Sequence, residues 1–436
     1  MSRDGTHQGS RRQVLEAVTA GGAAGLLGLA GCVGDPEEAG NGNGTDDPET
    51  DDGDPDETET EFDTVQFGVL EPFTGEFSDL AEERHQGTEL AIEEINESDE
   101  YDFTIEYSEY DTQLDPATAT QRAEQAVQSD DAQFITGCIS SSAALAINDF
   151  ALENEVVYTP GAADVSITGS ECNEYVFRFE TNTAQIAEVM AQWTADELGD
   201  RIFYHIADYA YGDSVLEEVE IRMEAISDSY EQVDVTRSDP GSTDFEAFIS
   251  QIASASDEAD ALVVGMTGAD LAIFLSQAEA RGLQDEIPIV TTTGSFYAVR
   301  AGAGEGAYDI YSGVRYVPDL ETGDNQEFVE SYEAAYDDVP DNFSRVGYDS
   351  IRMVANGIQE AGSDDPTVVK DALPGLEQET IFGPNEFRPC DQQAMNPVWM
   401  GECVEPEEGE LADVELLEEL SGEEAAPDCE DTGCDL

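Results

Sequence analysis

From Val65 onward, short apolar runs alternate with longer stretches whose apolar residues recur every three to four positions. Residues 65–70 predict a strand that runs into Pro72 and Gly75, and a helix follows through 90–96. Asp115-Pro116 joins an N-cap residue to a proline suited to the first helical position, which predicts a helix to about Ser129. Residues 134–137 read as a strand, Ser140-Ser141-Ser142 opens the next helix, and 156–159 is a strand ending at Pro160-Gly161. The alternation resumes with strands at 201–206, 233–236, 261–265 and 287–291, and helices at 215–226, 243–255 and 271–281. Repeated βα units of this kind predict a parallel sheet covered on both faces.

The strands are too many for one comfortable sheet, and the run divides near residues 180–184. The expectation is an α/β chain of two doubly wound lobes joined by a hinge. Residues 64–183 and 313–372 are assigned to the first lobe, and 184–312 and 373–404 to the second. The return passage carries a strand at 312–317, helices at 325–336 and 347–361, and short strands near 379–382 and 397–403. Open α/β lobes present binding loops at the carboxyl ends of their strands, and a cleft between two such lobes can close by hinge motion.

Charge changes the picture next. The formal net charge is −84, from 100 acidic and 16 basic residues, and Lys370 is the sole lysine. The excess runs through predicted helices such as Leu216-Glu217-Glu218-Val219-Glu220 as well as the termini. Self-repulsion of this size opposes a compact state at ordinary ionic strength and is screened in molar salt. A halophilic protein is therefore expected. Nucleic acid is excluded as a partner, because phosphate contacts need basic residues.

Ahead of the body, Arg11-Arg12, a short apolar segment and Leu29-Ala30-Gly31-Cys32 read as a Tat export signal with a lipoprotein processing site over residues 1–32. Cys32 is then the lipidated residue. The alternative is a membrane-spanning anchor, but that segment is rich in Gly and Ala and carries Glu16. Residues 33–63 are acidic and polar without a lysine or arginine, which predicts a disordered tether. Residues 405–436 are expected to form an acidic tail. The chain is placed on the extracellular face of the cell membrane, held by lipid.

In that oxidising compartment six further cysteines are expected in disulfides, and local pairing suggests Cys138–Cys172, Cys390–Cys403 and Cys429–Cys434, among several possible connectivities. No Cys-x-x-Cys pair occurs, and the body holds only His85 and His205, so no metal site is assigned. Gly-x-Ser-x-Gly, a phosphate loop and His-Glu-x-x-His are all absent, so no catalytic residue is assigned and no enzyme is expected.

Several segments carry a resemblance in their order and spacing. They are Phe67-Gly68-Val69-Leu70-Glu71-Pro72-Phe73-Thr74-Gly75, Gly87-Thr88-Glu89-Leu90-Ala91-Ile92, Tyr110-Asp111-Thr112, Gly137-Cys138-Ile139-Ser140-Ser141-Ser142, Tyr158-Thr159-Pro160-Gly161-Ala162 and Tyr211-Gly212. Over residues 65–404 the chain resembles the extracellular solute-binding proteins of ABC transporters, of the Leu/Ile/Val-binding type. The resemblance implies a type I periplasmic-binding-protein fold, a small-molecule ligand, an ABC permease partner, no cofactor and a monomer. It implies that Ser141 and Ser142 receive a ligand carboxylate at a helix start, with Gly161, Ala162 and Ala163 as a second loop. Tyr211 becomes a lid from the second lobe, Phe77 an apolar wall, and Thr267 and Thr293 close over the ligand.

Two departures bear on the ligand. Ala163 stands where amino-acid binders of this type commonly carry a threonine. The later strand ends in Thr291-Thr292-Thr293-Gly294-Ser295, without the acid that receives an ammonium. An amide, urea or another small polar solute is thus expected beside amino acids, with Asp208 or Asp270 as the alternative source of the acid. A sensor module feeding a receptor is the rival function, and a hydrolase the third.

Overall fold

The computed structural model describes residues 62–406, 409 and 411–436. The expected export signal, Cys32 and residues 33–61 of the expected tether lie outside the described residues.

The first lobe is built from β1 (Thr64–Glu71), α1 (Ser78–Glu97), β2 (Thr104–Asp111), α2 (Pro116–Ser129), β3 (Phe134–Gly137), α3 (Ser141–Asn154) and β4 (Val157–Pro160). Its four strands lie in the order β2-β1-β3-β4, all parallel. Asp115 caps α2 by accepting from the Thr118 N–H, and Pro116 opens the helix.

The chain crosses to the second lobe through α4 (Thr183–Glu197), then forms β5 (Arg201–Ala207), α5 (Ala210–Ile226), β6 (Glu231–Ser238), α6 (Glu246–Ala255), β7 (Ala261–Gly265), α7 (Gly268–Arg281), β8 (Ile289–Thr291), α8 (Tyr297–Ala303) and β9 (Ile310–Val314). It returns through α9 (Asn325–Tyr336), α10 (Asn342–Ala361), α11 (Pro366–Ala372) and the β10 (Gln378–Thr380) and β11 (Gly383–Asn385) hairpin. It ends with β12 (Val398–Val404), β13 (Asp413–Leu420) and α12 (Gly422–Ala425). The second sheet runs β13-β12-β9-β8-β7-β5-β6, parallel from β9 to β6, with β12 antiparallel to both its neighbours.

Each sheet buries a near-continuous apolar strand set, as doubly covered parallel sheets require. Helix α10 lies against α1 so closely that a Cβ on Gly347 would meet the Arg84 carbonyl oxygen at 2.2 Å. Among the described residues no helix is long and apolar enough to cross a membrane.

The structure corrects three expectations. Leu373, Ile381, Phe387 and Ala394 join the core of the first lobe, so 373–396 packs there and only β12 onward returns to the second. Residues 405–436 are not a bare tail, since β13 pairs along β12 and the chain beyond it is cross-linked.

The cysteine pairing also differs. The disulfides are Cys172–Cys434 and Cys390–Cys429, whereas Cys138 and Cys403 are buried free thiols. Cys403 is enclosed within β12, and Cys138 lies under the start of α3, out of reach of the surface loops that hold the other four. Sequence proximity misleads here because the C-terminal segment folds back across the body.

Candidate functional site

Three chain crossings join the lobes, and they are hydrogen-bonded to one another. At the first, Glu180 is fully buried and takes Arg315 Nη1 from the second crossing at 2.5 Å. At the third, Gln393 Nε2 donates to the Glu180 carbonyl at 2.8 Å and Asn396 Nδ2 to the Phe179 carbonyl at 2.5 Å. Asn342 and Arg345, in the first turn of α10, also donate to the Glu180 carboxylate.

Between the lobes lies a small cavity of about 20 Å³, lined by Ile139, Ser141, Gly161, Ala163, Tyr209, Tyr211, Thr267, Thr293, Phe296, Arg315 and Phe343. All but Phe343 follow directly on the carboxyl ends of strands: β3 and β4 from the first sheet, β5, β7, β8 and β9 from the second. Ligands in open α/β sheets bind at such ends.

The expected residues divide as follows. Ser141, Gly161, Ala163, Tyr211, Thr267 and Thr293 come together in the cavity wall. Ser142 stands beside Ser141 but outside that wall. Ala162 turns into the first core, where its carbonyl accepts from Arg178 Nη1 at 3.2 Å. Phe77 packs near Tyr209, with ring centroids 6.5 Å apart, and backs the cavity without lining it. Asp208 and Asp270 also lie outside the wall: Asp208 is exposed near Arg237, and Asp270 accepts from the Gly241 N–H at 2.9 Å. Burial pushes the Asp270 carboxyl up to about 6, against the Gly241 bond and with the help of nearby Glu76.

The wall is built by local rules. Gly161 is required by close approach, since a Cβ there would meet Arg84 Nε at 2.6 Å and Ile139 at 3.1 Å. Arg84 is fully buried beneath it, donating to Glu71 at 2.7 Å and to Thr136 Oγ1 at 2.9 Å. Burial pushes the Glu71 carboxyl up to about 7 even beside this guanidinium.

Arg178 holds the second loop from behind. It donates to the Ala162 and Asp164 carbonyls and, through Nε, to Gln393 Oε1 at 2.7 Å; burial lowers its pKa to about 10. Ser141 Oγ accepts from the Asp164 N–H at 3.3 Å, which ties the two loops together. Tyr211 donates to Thr292 Oγ1 at 2.7 Å and accepts from Arg315 Nη2 at 3.2 Å. Burial works against the Arg315 charge, but Tyr211 and Glu180 outweigh it and raise its pKa.

Arg315, Tyr209, Ile139, Phe296 and Phe343 were not anticipated. Arg315 had one available signal: a cation inside the expected strand 312–317, in a chain with only 16 lysines and arginines. His205 is a satisfied core histidine, bonded to Thr236 Oγ1 at 2.8 Å, with burial lowering its pKa to about 4. Outside the cleft, His85 lies 3.1 Å from Glu109 and 3.6 Å from Glu89, with metal-ligand spacing. His85 Nε2 faces both carboxylates, while its buried Nδ1 has no hydrogen-bond partner.

Comparisons with known proteins agree with this geometry. A family model described as periplasmic binding protein matches residues 64–409. The leucine-, isoleucine-, valine-, threonine- and alanine-binding protein of Pseudomonas aeruginosa is 25% identical over 329 residues, covering 74% of this chain and 85% of its own. An amino acid ABC transporter substrate-binding protein from Pseudomonas fluorescens superposes with TM-score 0.76 at 22% identity, covering 86% of this chain and all of the other. A solute-binding protein of an R. palustris ABC transporter, in complex with benzoate, gives TM-score 0.74 at 22% identity, with 86% and 100% covered. These relatives bind solutes and are not enzymes. The chain belongs to the periplasmic binding protein family.

Proposed function

We propose that this protein captures a small polar solute in the cleft between its lobes and delivers it to an ABC permease. The observation that carries the reading is the cavity itself, walled by strand ends of both sheets and bounded by the hinge residue Arg315. Ligand enters the open cleft and meets Ser141, Gly161 and Ala163 first. Tyr211, Thr267 and Thr293 then close over it, and the ligand favours the closed form by the contacts it makes only there. The relatives' ligands, aliphatic amino acids and benzoate, make small carboxylate-bearing solutes the first class to test.

The same proposal places the chain outside the cell, exported by Tat and anchored through lipid on Cys32, as a monomer adapted to high salt. Its charge of −84 supports the salt adaptation and its N-terminal segment the anchor. Uptake of the bound solute by cells with and without the gene tests delivery, and unchanged uptake would overturn it. A Cys32→Ser chain is expected in the medium, and one that stays with the membrane would overturn the anchor.

A further inference from the structure

In a chain carrying 100 acidic residues, the cavity wall contains none. Its one charged member is Arg315, about 1% exposed, whose Nε has no hydrogen-bond partner. Three more fully buried arginines stand close behind. Arg84 lies under Gly161, Arg178 holds the 162–164 carbonyls, and Arg345 shares Glu180 with Arg315.

The nearby carboxylates are engaged elsewhere. Glu180 takes Arg315, Arg345 and Asn342; Glu83 takes the backbone N–H groups of Phe343 and Ser344; Asp164 takes Ser166. An ammonium group in this cavity would face a guanidinium and find no acid in the wall, which is costly in a buried site.

The helices point the same way. The N-termini of α3, α5 and α7 reach the cavity from both lobes through Ser141, Tyr209, Tyr211 and Thr267, and none of the three has a side-chain cap. Thr267 stands at the N-cap of α7, yet its hydroxyl is buried without a partner. Open helix starts offer N–H groups and a positive dipole end to an anion.

We propose that the ligand is a small organic carboxylate without an ammonium group, received by Arg315, the Thr267 and Ser141 hydroxyls and the open starts of α3, α5 and α7. This rests on the solute-capture reading above and names its ligand class. Arg315 is the specificity-determining residue: its unpartnered Nε, a donor only, gains a partner from a carboxylate and none from an ammonium, and the Thr267 hydroxyl adds a second donor to the carboxylate.

The test is a thermal-shift and calorimetric panel on the full chain in molar KCl, with matched acids, amides and amino acids: lactate, lactamide and alanine; 3-phenylpropionate, its amide and phenylalanine; 4-methylvalerate, its amide and leucine. Stabilisation by at least one acid, absent with its amide and its amino acid, is expected. Arg315→Gln should weaken that acid roughly a hundredfold. Since Arg315→Gln disturbs Glu180 and the fold, Thr267→Val serves as the second variant. It removes a hydroxyl with no partner in the protein, so it should leave the melting temperature unchanged or higher and weaken the acid about tenfold. Stabilisation by an amino acid or amide in preference to its acid, or full affinity in Thr267→Val and Arg315→Gln, overturns this inference and leaves solute capture standing. Silence across the panel counts against both.

Discussion

Arg315, at the second lobe crossing, donates through Nη2 to the hydroxyl of Tyr211 at 3.2 Å, so the lid residue is hydrogen-bonded to the hinge. The same hydroxyl donates to Thr292. Tyr211→Phe keeps the ring and deletes both bonds, which leaves buried polar groups unsatisfied. A loss of about 1–3 kcal/mol in unfolding free energy is expected, with weaker ligand binding. Thermal melts in molar salt beside binding titrations check it, and an unaltered stability would mean that the bond contributes nothing.

Gly161→Ala probes the floor of the cavity. The added methyl must displace the Arg84 stem and Ile139, both held in a packed interior. Such overpacking costs about 1–3 kcal/mol, and the shifted loop should bind ligand less well. A variant as stable and as avid as wild type would show that the loop yields freely.

Cysteine chemistry offers a counting test. Cys138 and Cys403 are enclosed, and burial raises the thiol pKa of both. A body beginning after the tether should show no reactive thiol when native and two when denatured without reductant. Four or more under the second condition would contradict the Cys172–Cys434 and Cys390–Cys429 bonds.

Asp270 supplies a pH dependence with a definite sign. Its folded pKa is raised by burial, from 3.8 to about 6, with Glu76 facing it from the other lobe. Between those values the folded protein holds more protons than the unfolded chain, so the stability attributable to Asp270 falls as pH rises through the window. Asp270→Asn should remove that part of the slope and be relatively more stable above pH 6 than below it. Parallel wild-type and variant melts across the window would refute the assignment.

The strands β3 and β7 and the helix α9 occur over the residues that hydrophobic patterning assigned, because the two strands are buried throughout and the helix buries Phe328 and Tyr332. Strand β2 was not predicted. It is an edge strand whose alternate residues, Glu106 among them, meet solvent, so Thr104–Asp111 looks polar. Helix α4 was hidden behind the hinge segment. β13 was read as tail because its acids are plentiful and its Leu416 and Leu417 are exposed, while what holds it is backbone pairing along β12. Six cavity residues were legible through the family resemblance, which placed them on loops at strand ends. Arg315 was not, since no local pattern tells that a strand-end arginine turns inward, and its partner Glu180 lies 135 residues away.

Titration calorimetry of the full chain in molar salt, with the solute that most raises its melting temperature, tests the central claim most directly. Wild type, Ser141→Ala and Tyr211→Ala are compared. The account predicts one site per chain in wild type and binding weakened at least about tenfold in each variant, with cooperative melting retained. Unchanged affinity in both variants would place the ligand outside this cleft.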